Sequence, residues 1–177
     1  MMFVSIGIGL VIAIVLIAVV SYFTGGSVQQ PSALTTSNQV GKSVKAFTEA
    51  SLNGGPDVNA PWKSGHPGVV MFFASWCTVC HEELPKIEKY LNTHNLGSTQ
   101  VVGIDALDAQ SAGRTFVKQM GLSFPVAFDP DGKVTSNEFG IANLPETIFV
   151  SKYGVVKGVY LGAIPVSEFT KGLALLN

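Results

Sequence analysis

Residues 68–85 read GVVMFFASWCTVCHEELP. Gly68–Ala74 is a continuous apolar run of strand length, rich in β-branched and aromatic residues, which predicts a strand buried on both faces. Ser75-Trp76-Cys77-Thr78-Val79-Cys80 follows at once. Glu82–Asn95 then carries apolar residues at 84, 87, 90 and 91, which is helical spacing. Glu82 and Glu83 open that helix and His94 closes it, the order the helix dipole favours. Pro85 lies inside it and is expected to kink it.

Working outward, Thr99–Ile104 predicts a second buried strand ending in Asp105, and Ser111–Met120 a helix with Gly121 as its stop. Phe124–Phe128 reads as a short extended segment, Asp129-Pro130-Asp131-Gly132 as a turn, and Val134–Phe139 as one or two helical turns. Thr147–Val150 and Val155–Leu161, joined by Lys152-Tyr153-Gly154, predict a hairpin, and Ser167–Leu176 a closing helix. Upstream, Ala46–Leu52 alternates weakly, as an edge strand does. Alternating strands and helices, with a hairpin near the end, imply an α/β sandwich on a mixed sheet.

The charge distribution divides the chain. Residues 1–41 hold no Asp, Glu, Lys or Arg, so all 23 charges of the 177-residue chain lie from Lys42 onward. Val4–Phe23 is apolar apart from Ser5, Gly7, Gly9 and Ser21. A twenty-residue helix is about 30 Å long, the thickness of a hydrocarbon core. The run is longer than the apolar part of a cleaved signal peptide, and no basic residue precedes it. The expected organisation is a transmembrane anchor over 1–23, a flexible linker over 24–40 and one domain over 41–177. A net charge of −1 gives no basic footprint for nucleic acid.

The chain has two cysteines, Cys77 and Cys80. Three chemistries compete for them. A Cys-x-x-Cys at a helix start places Cys77 where the helix dipole favours a thiolate and Cys80 one turn in, able to resolve a mixed disulfide. Cys77-Thr-Val-Cys80-His81 is also the C-x-x-C-H pattern of c-type haem attachment. A strand–helix setting, with Met120 as the one distal candidate outside the Met71 strand, argues against it. A structural zinc site usually takes four ligands, and only His66, His81 and His94 could supplement the cysteines. No metal or cofactor is expected. A fixed structural disulfide is a further alternative. A peroxidatic cysteine would need Thr or Ser three residues earlier, and Ala74 stands there before Cys77.

Phe72–Cys80 resembles the active-site segment of thioredoxin-fold proteins. His81-Glu82-Glu83-Leu84-Pro85, Phe128–Val134 and Phe139–Val150 resemble the TlpA/ResA branch, the membrane-anchored thiol-disulfide oxidoreductases of bacteria. The likeness runs from about Gly41 to Asn177. It implies a thioredoxin-like three-layer α/β/α sandwich with a mixed central sheet. It implies an oxidoreductase acting on exported proteins, a reductant of the cytochrome c maturation type, or alternatively a disulfide-forming oxidase. It implies protein thiol or disulfide substrates, a membrane redox partner, and a single-pass protein of the bacterial cytoplasmic membrane with its domain extracytoplasmic.

Residue by residue, the resemblance implies Cys77 as attacking and Cys80 as resolving cysteine. Glu83, three residues on, would tune the thiols or carry their proton. Trp76 would cover the site's edge. Pro145 would be a cis-proline facing the cysteines, turning the Leu144 backbone toward an extended substrate. Met71 stands where thioredoxin keeps a buried Asp, leaving Glu83 as the one nearby candidate for a buried carboxylate. Two departures stand out. Thr78-Val79 lacks the proline common before the second cysteine, which bears on reduction potential. Glu146 replaces the small residue often found after the proline and is expected to select against acidic partners.

Overall fold

The computed structural model describes Leu34 and residues 37–177. Five strands form one sheet in the order β5-β4-β3-β6-β7: β3 Gly68–Phe73, β4 Gln100–Ala106, β5 Val126–Asp129, β6 Glu146–Val150 and β7 Val156–Leu161. β3, β4 and β5 run parallel, while β6 is antiparallel to both β3 and β7, so the sheet is mixed as expected. A two-stranded ribbon, β1 Thr48–Glu49 with β2 Val58–Asn59, precedes it. The Leu52 N–H donates to the Val126 carbonyl, and the Phe128 N–H donates to the Ala50 carbonyl, so the chain after β1 covers the β5 edge.

β3 is buried along its whole length. Its side chains alternate between two cores. Val69, Met71 and Phe73 face one, and Val70 and Phe72 face the other. The first core is closed by helices α1 Thr78–Leu91, α2 Gln110–Met120 and α3 Val166–Ala174, through Leu84, Ile87, Phe116, Val117 and Phe169. Both parallel crossovers, β3-α1-β4 and β4-α2-β5, step the same way along the sheet. Their common right-handedness puts both helices on one face. Among the described residues the opposite face is not covered by regular α-helix. A 3₁₀ turn at Pro61–Ser64, a single π-helical turn at Lys133–Glu138 and the segment around Phe47 and Val58 close it, with Trp62, Val134 and Phe139 inward. The expected third layer is therefore a set of turns. Phe47, Trp62 and Phe139 meet edge-on there, so three aromatic rings fill the volume a helix would otherwise occupy.

α1 begins at Thr78, four residues before the expected start, and ends at Leu91. Thr78 and Val79 are β-branched and weak helix formers, which hides the first turn in sequence. Leu34 is buried, and Gln39 donates from Nε2 to the Phe139 carbonyl. Packing thus reaches into the stretch read as a linker. The expected anchor over residues 1–23 lies outside the described residues. Among the described residues no helix is long and apolar enough to cross a membrane.

α3 docks through Gly172, where a Cβ would overlap the buried ring of Phe149. Gly→Ala in a helix interior normally stabilises by about 1 kcal/mol. Here Gly172→Ala should instead destabilise by about 1–3 kcal/mol, because the ring is locked in a packed core. Urea unfolding of the oxidised chain checks the sign.

Candidate active site

The site forms where the parallel strands end. β3 delivers the chain to Cys77, whose backbone is extended and whose sulfur accepts a hydrogen bond from the Cys80 N–H at 3.2 Å. Sulfur thus does at this N-cap what a Ser or Asp oxygen usually does. Cys77 and Cys80 are joined as a disulfide, with Cα atoms 5.3 Å apart. Cys80 is fully buried, and Cys77 retains 6% exposure. Of the two cysteines, Cys77 is thus the one that keeps any access to solvent.

Trp76 is 58% exposed and donates from Nε1 to the Leu107 carbonyl at 3.1 Å. It stands on the rim of the site and is no part of the core. Its predecessor Ser75 is held from its N–H (2.6 Å) and hydroxyl (3.0 Å) by the Asp108 carboxylate. His81 is exposed, with Nε2 3.0 Å from the Ser75 carbonyl and its ring against Phe116. With Cys80 buried and His81 engaged there, this arrangement fits a thiol–disulfide couple better than a haem attachment.

Glu83 lies one turn beyond Cys80 and is buried. Its Oε1 accepts from the Ile164 N–H at 3.2 Å, and Oε2 has no hydrogen-bond partner. Burial pushes its carboxyl up to about 8, opposed only in part by that N–H. Glu82 is exposed on the other side of α1.

The Leu144–Pro145 peptide is cis. Glu146 pairs with Phe72 across β3 and β6, so Leu144 and Pro145 lie beside the end of β3 and the start of the cysteine loop. Leu144 packs against the cluster that contains both cysteines. A pocket of about 280 Å³ adjoins this turn, lined by Gln39, Asn143, Leu144, Pro145, Glu146 and Gly162. Glu146, expected to select against acidic partners, is buried; its Oε1 has no partner, and burial raises its carboxyl to about 7. Glu83 is therefore not the one buried carboxyl near the site. Sequence reasoning also passed over Asp105 and Asp108. The available signal was two acids three residues apart at the carboxyl end of the strand parallel to the one feeding Cys77, the end where open α/β sheets build their sites. Among the described residues no group of three or more His, Cys, Asp or Glu is placed to hold a metal ion.

Residues 40–159 match the AhpC/TSA family. The chain belongs to that family. Within it, the likeness is to thiol-disulfide oxidoreductases. The thiol-disulfide oxidoreductase ResA of Bacillus thuringiensis is 27% identical over 124 residues, 70% of each chain. The structure of Mycobacterium tuberculosis DsbF is 30% identical, with a TM-score of 0.65 over 74% of this chain and 95% of that one. A second M. tuberculosis structure, described as a secreted disulfide oxidoreductase homologous to E. coli DsbE, is 25% identical, with a TM-score of 0.64 over 73% of this chain and 96% of that one. The thioredoxin-like fold and the Cys-x-x-Cys site make this AhpC/TSA member a thiol-disulfide oxidoreductase.

The raised Glu83 carboxyl has a sign that can be measured. Its pKa is about 8 folded against 4.5 in the ordinary state. The folded state therefore binds the proton more tightly, and this contribution to stability is complete below about pH 4.5 and lost as pH rises through about 8. Glu83→Gln removes the titration. The stability of wild type relative to this variant should fall between pH 5 and pH 9, measured by urea unfolding of the oxidised forms. A pH-independent difference would contradict the assignment.

Proposed function

We propose that this chain reduces disulfides in exported proteins, in the manner of a cytochrome c maturation reductant. The single observation that carries the reading is the disulfide capping α1 with a buried, unneutralised carboxyl one turn below it. A thiolate at Cys77 would share the site with Glu83, whose ionisation burial already opposes. The burial that keeps this carboxyl protonated also opposes a thiolate on the fully buried Cys80, and a thiol that ionises with difficulty favours the disulfide. A couple that prefers its disulfide gives electrons away.

The cycle follows from the burial gradient. The Cys77 thiolate attacks one sulfur of the client disulfide. That S–S bond breaks, the first client sulfur leaves as thiolate and takes a proton from solvent, and a mixed disulfide remains. Glu83 in its carboxylate form takes the proton from the Cys80 thiol. Cys80 then attacks Cys77 Sγ, closes the Cys77–Cys80 disulfide and releases the second client thiol. Two electrons pass to the client, and a membrane redox partner restores the dithiol. Leu144 and Pro145 present backbone to an extended client strand, and Trp76 forms the rim. The pocket beside them, with the Glu146 carboxyl in its wall, suits a hydrogen-bond donor or basic side chain next to the client cysteine. Residues 1–23 serve as the membrane anchor and 24–40 as its tether, with the domain on the extracytoplasmic side, where apocytochrome c and other exported thiol proteins are met. The secreted M. tuberculosis neighbour is consistent with that side.

One observation favours the opposite direction. The Cys80 N–H bonded to Cys77 Sγ, with the α1 dipole behind it, stabilises a Cys77 thiolate and hence the reduced form, as in disulfide-forming oxidants. The reduction potential decides. A value near about −270 mV supports the reductant, and a value near about −120 mV the oxidase. Cys80→Ser should also accumulate mixed disulfides with exported proteins on non-reducing gels, whereas Cys77→Ser should not. No titratable couple and no trapped client would end the exchange reading.

A further inference from the structure

Asp105 is fully buried at the end of β4 and plays no part in the exchange cycle. Its carboxyl is turned toward α2 at Gly113, where any Cβ would overlap Oδ2, so the helix comes close only because that residue is glycine. Neither Asp105 oxygen has a hydrogen-bond donor. Alongside it, β3 contributes Phe73 and β5 contributes Phe128. The cations and imidazole nearby are engaged elsewhere. Arg114 on α2 donates from Nε to the Leu52 carbonyl at 2.6 Å, and His81 on α1 reaches the Ser75 carbonyl. The charged group that acts on Asp105 is Asp108, three residues on and just past the left-handed turn at Leu107.

Asp108 in turn grips the active-site loop. It accepts from the Ser75 N–H, the Ser75 hydroxyl and the Ala109 N–H at 2.6, 3.0 and 2.7 Å. One residue earlier, Leu107 has a positive φ of 52° and presents its carbonyl to the Trp76 indole. The segment 105–109 therefore clamps the two residues that precede Cys77.

We propose that Asp105 and Asp108 share one proton, and that this carboxyl–carboxylate pair positions Ser75-Trp76 and thereby tunes the reactivity of Cys77 separately from Glu83. Protonated Asp105 donates its O–H to an Asp108 oxygen. It leaves Asp108 charged for its bonds to Ser75 and adds no second negative charge to a buried site. Burial first, then the charge of Asp108, holds Asp105 protonated up to about 8. Above that, two carboxylates repel, Asp108 shifts, and the clamp on Ser75 and Trp76 loosens. Asp105 is thus a positioning residue that acts through Asp108.

The test uses the full chain in detergent, oxidised so that no thiol titrates, and labelled with 5-fluorotryptophan. Trp76 is told apart from Trp62 by Trp76→Phe. The Trp76 fluorine resonance should shift with a midpoint near pH 8 in wild type and in Glu83→Gln. It should stay flat in Asp105→Asn, whose amide donates to Asp108 at every pH. An unchanged titration in Asp105→Asn, or none in wild type, overturns the proposal. Should Asp105→Asn not fold, the Asp105 carboxyl carbon shift in wild type decides. A midpoint near 8 supports the pair, and one in the ordinary carboxylate range overturns it. For the reduced cycle, the rate of disulfide reduction by dithiothreitol, corrected for its own thiolate, should change between pH 6.5 and pH 9 by a ratio that differs about threefold or more between wild type and Asp105→Asn, the lower end of what one net hydrogen bond contributes.

Discussion

A sulfur caps the helix on which the site is built. Just past the end of the buried strand β3, Cys77 is extended and accepts the Cys80 N–H, so one residue starts α1 and carries the chemistry. Strand and helix both require this. β3 is buried on both faces and cannot end in a mobile loop, and the first N–H groups of α1 need an acceptor. The disulfide fixes the geometry in the oxidised state, and the helix N-terminus favours the thiolate in the reduced one.

Around that cap the protein has gathered carboxyls with few compensating charges. Glu83 sits below it, Glu146 beside the Pro145 turn, and Asp105 behind the loop that leads into it. Burial raises all three toward neutral pH. Each lies near the end of the sheet where β3 and β4 finish and β6 begins. Ordinary carboxylates would be expensive there, because a buried ion without a partner is poorly solvated. Protonated near neutral pH, they are cheaper to bury and can give or take a proton on demand. The consequence is a site whose thiol chemistry, proton supply and loop position all respond to pH within about two units of neutrality.

Much of this was readable from the chain. The apolar run at 68–74, the Cys-x-x-Cys behind it and the helical spacing after it gave the strand–helix unit, because these signals are local and periodic. The strands β3 and β4 and the hairpin β6–β7 followed from strand-length runs and turn residues, while the β3–β4 pairing itself came from the structure. Of the turn-built outer face only the helical turn at 134–139 was readable; the meeting of Phe47, Trp62 and Phe139 was not, since they are far apart in sequence and none carries a period. Nothing local marks Glu146 as buried; its register with Phe72 places it in the wall of the sheet. Gly113 reads as a weak helix residue until Asp105 is found lying against it.

The sequence by itself determined the redox pair, the helix that presents it and the mixed α/β plan, because spacing and hydrophobic pattern act along the chain. Tertiary structure alone decided which acids are buried, which of them meet, and what holds the loop before Cys77. Those outcomes depend on desolvation and on contacts between residues such as Ser75 and Asp108, 33 positions apart, where no local pattern reaches.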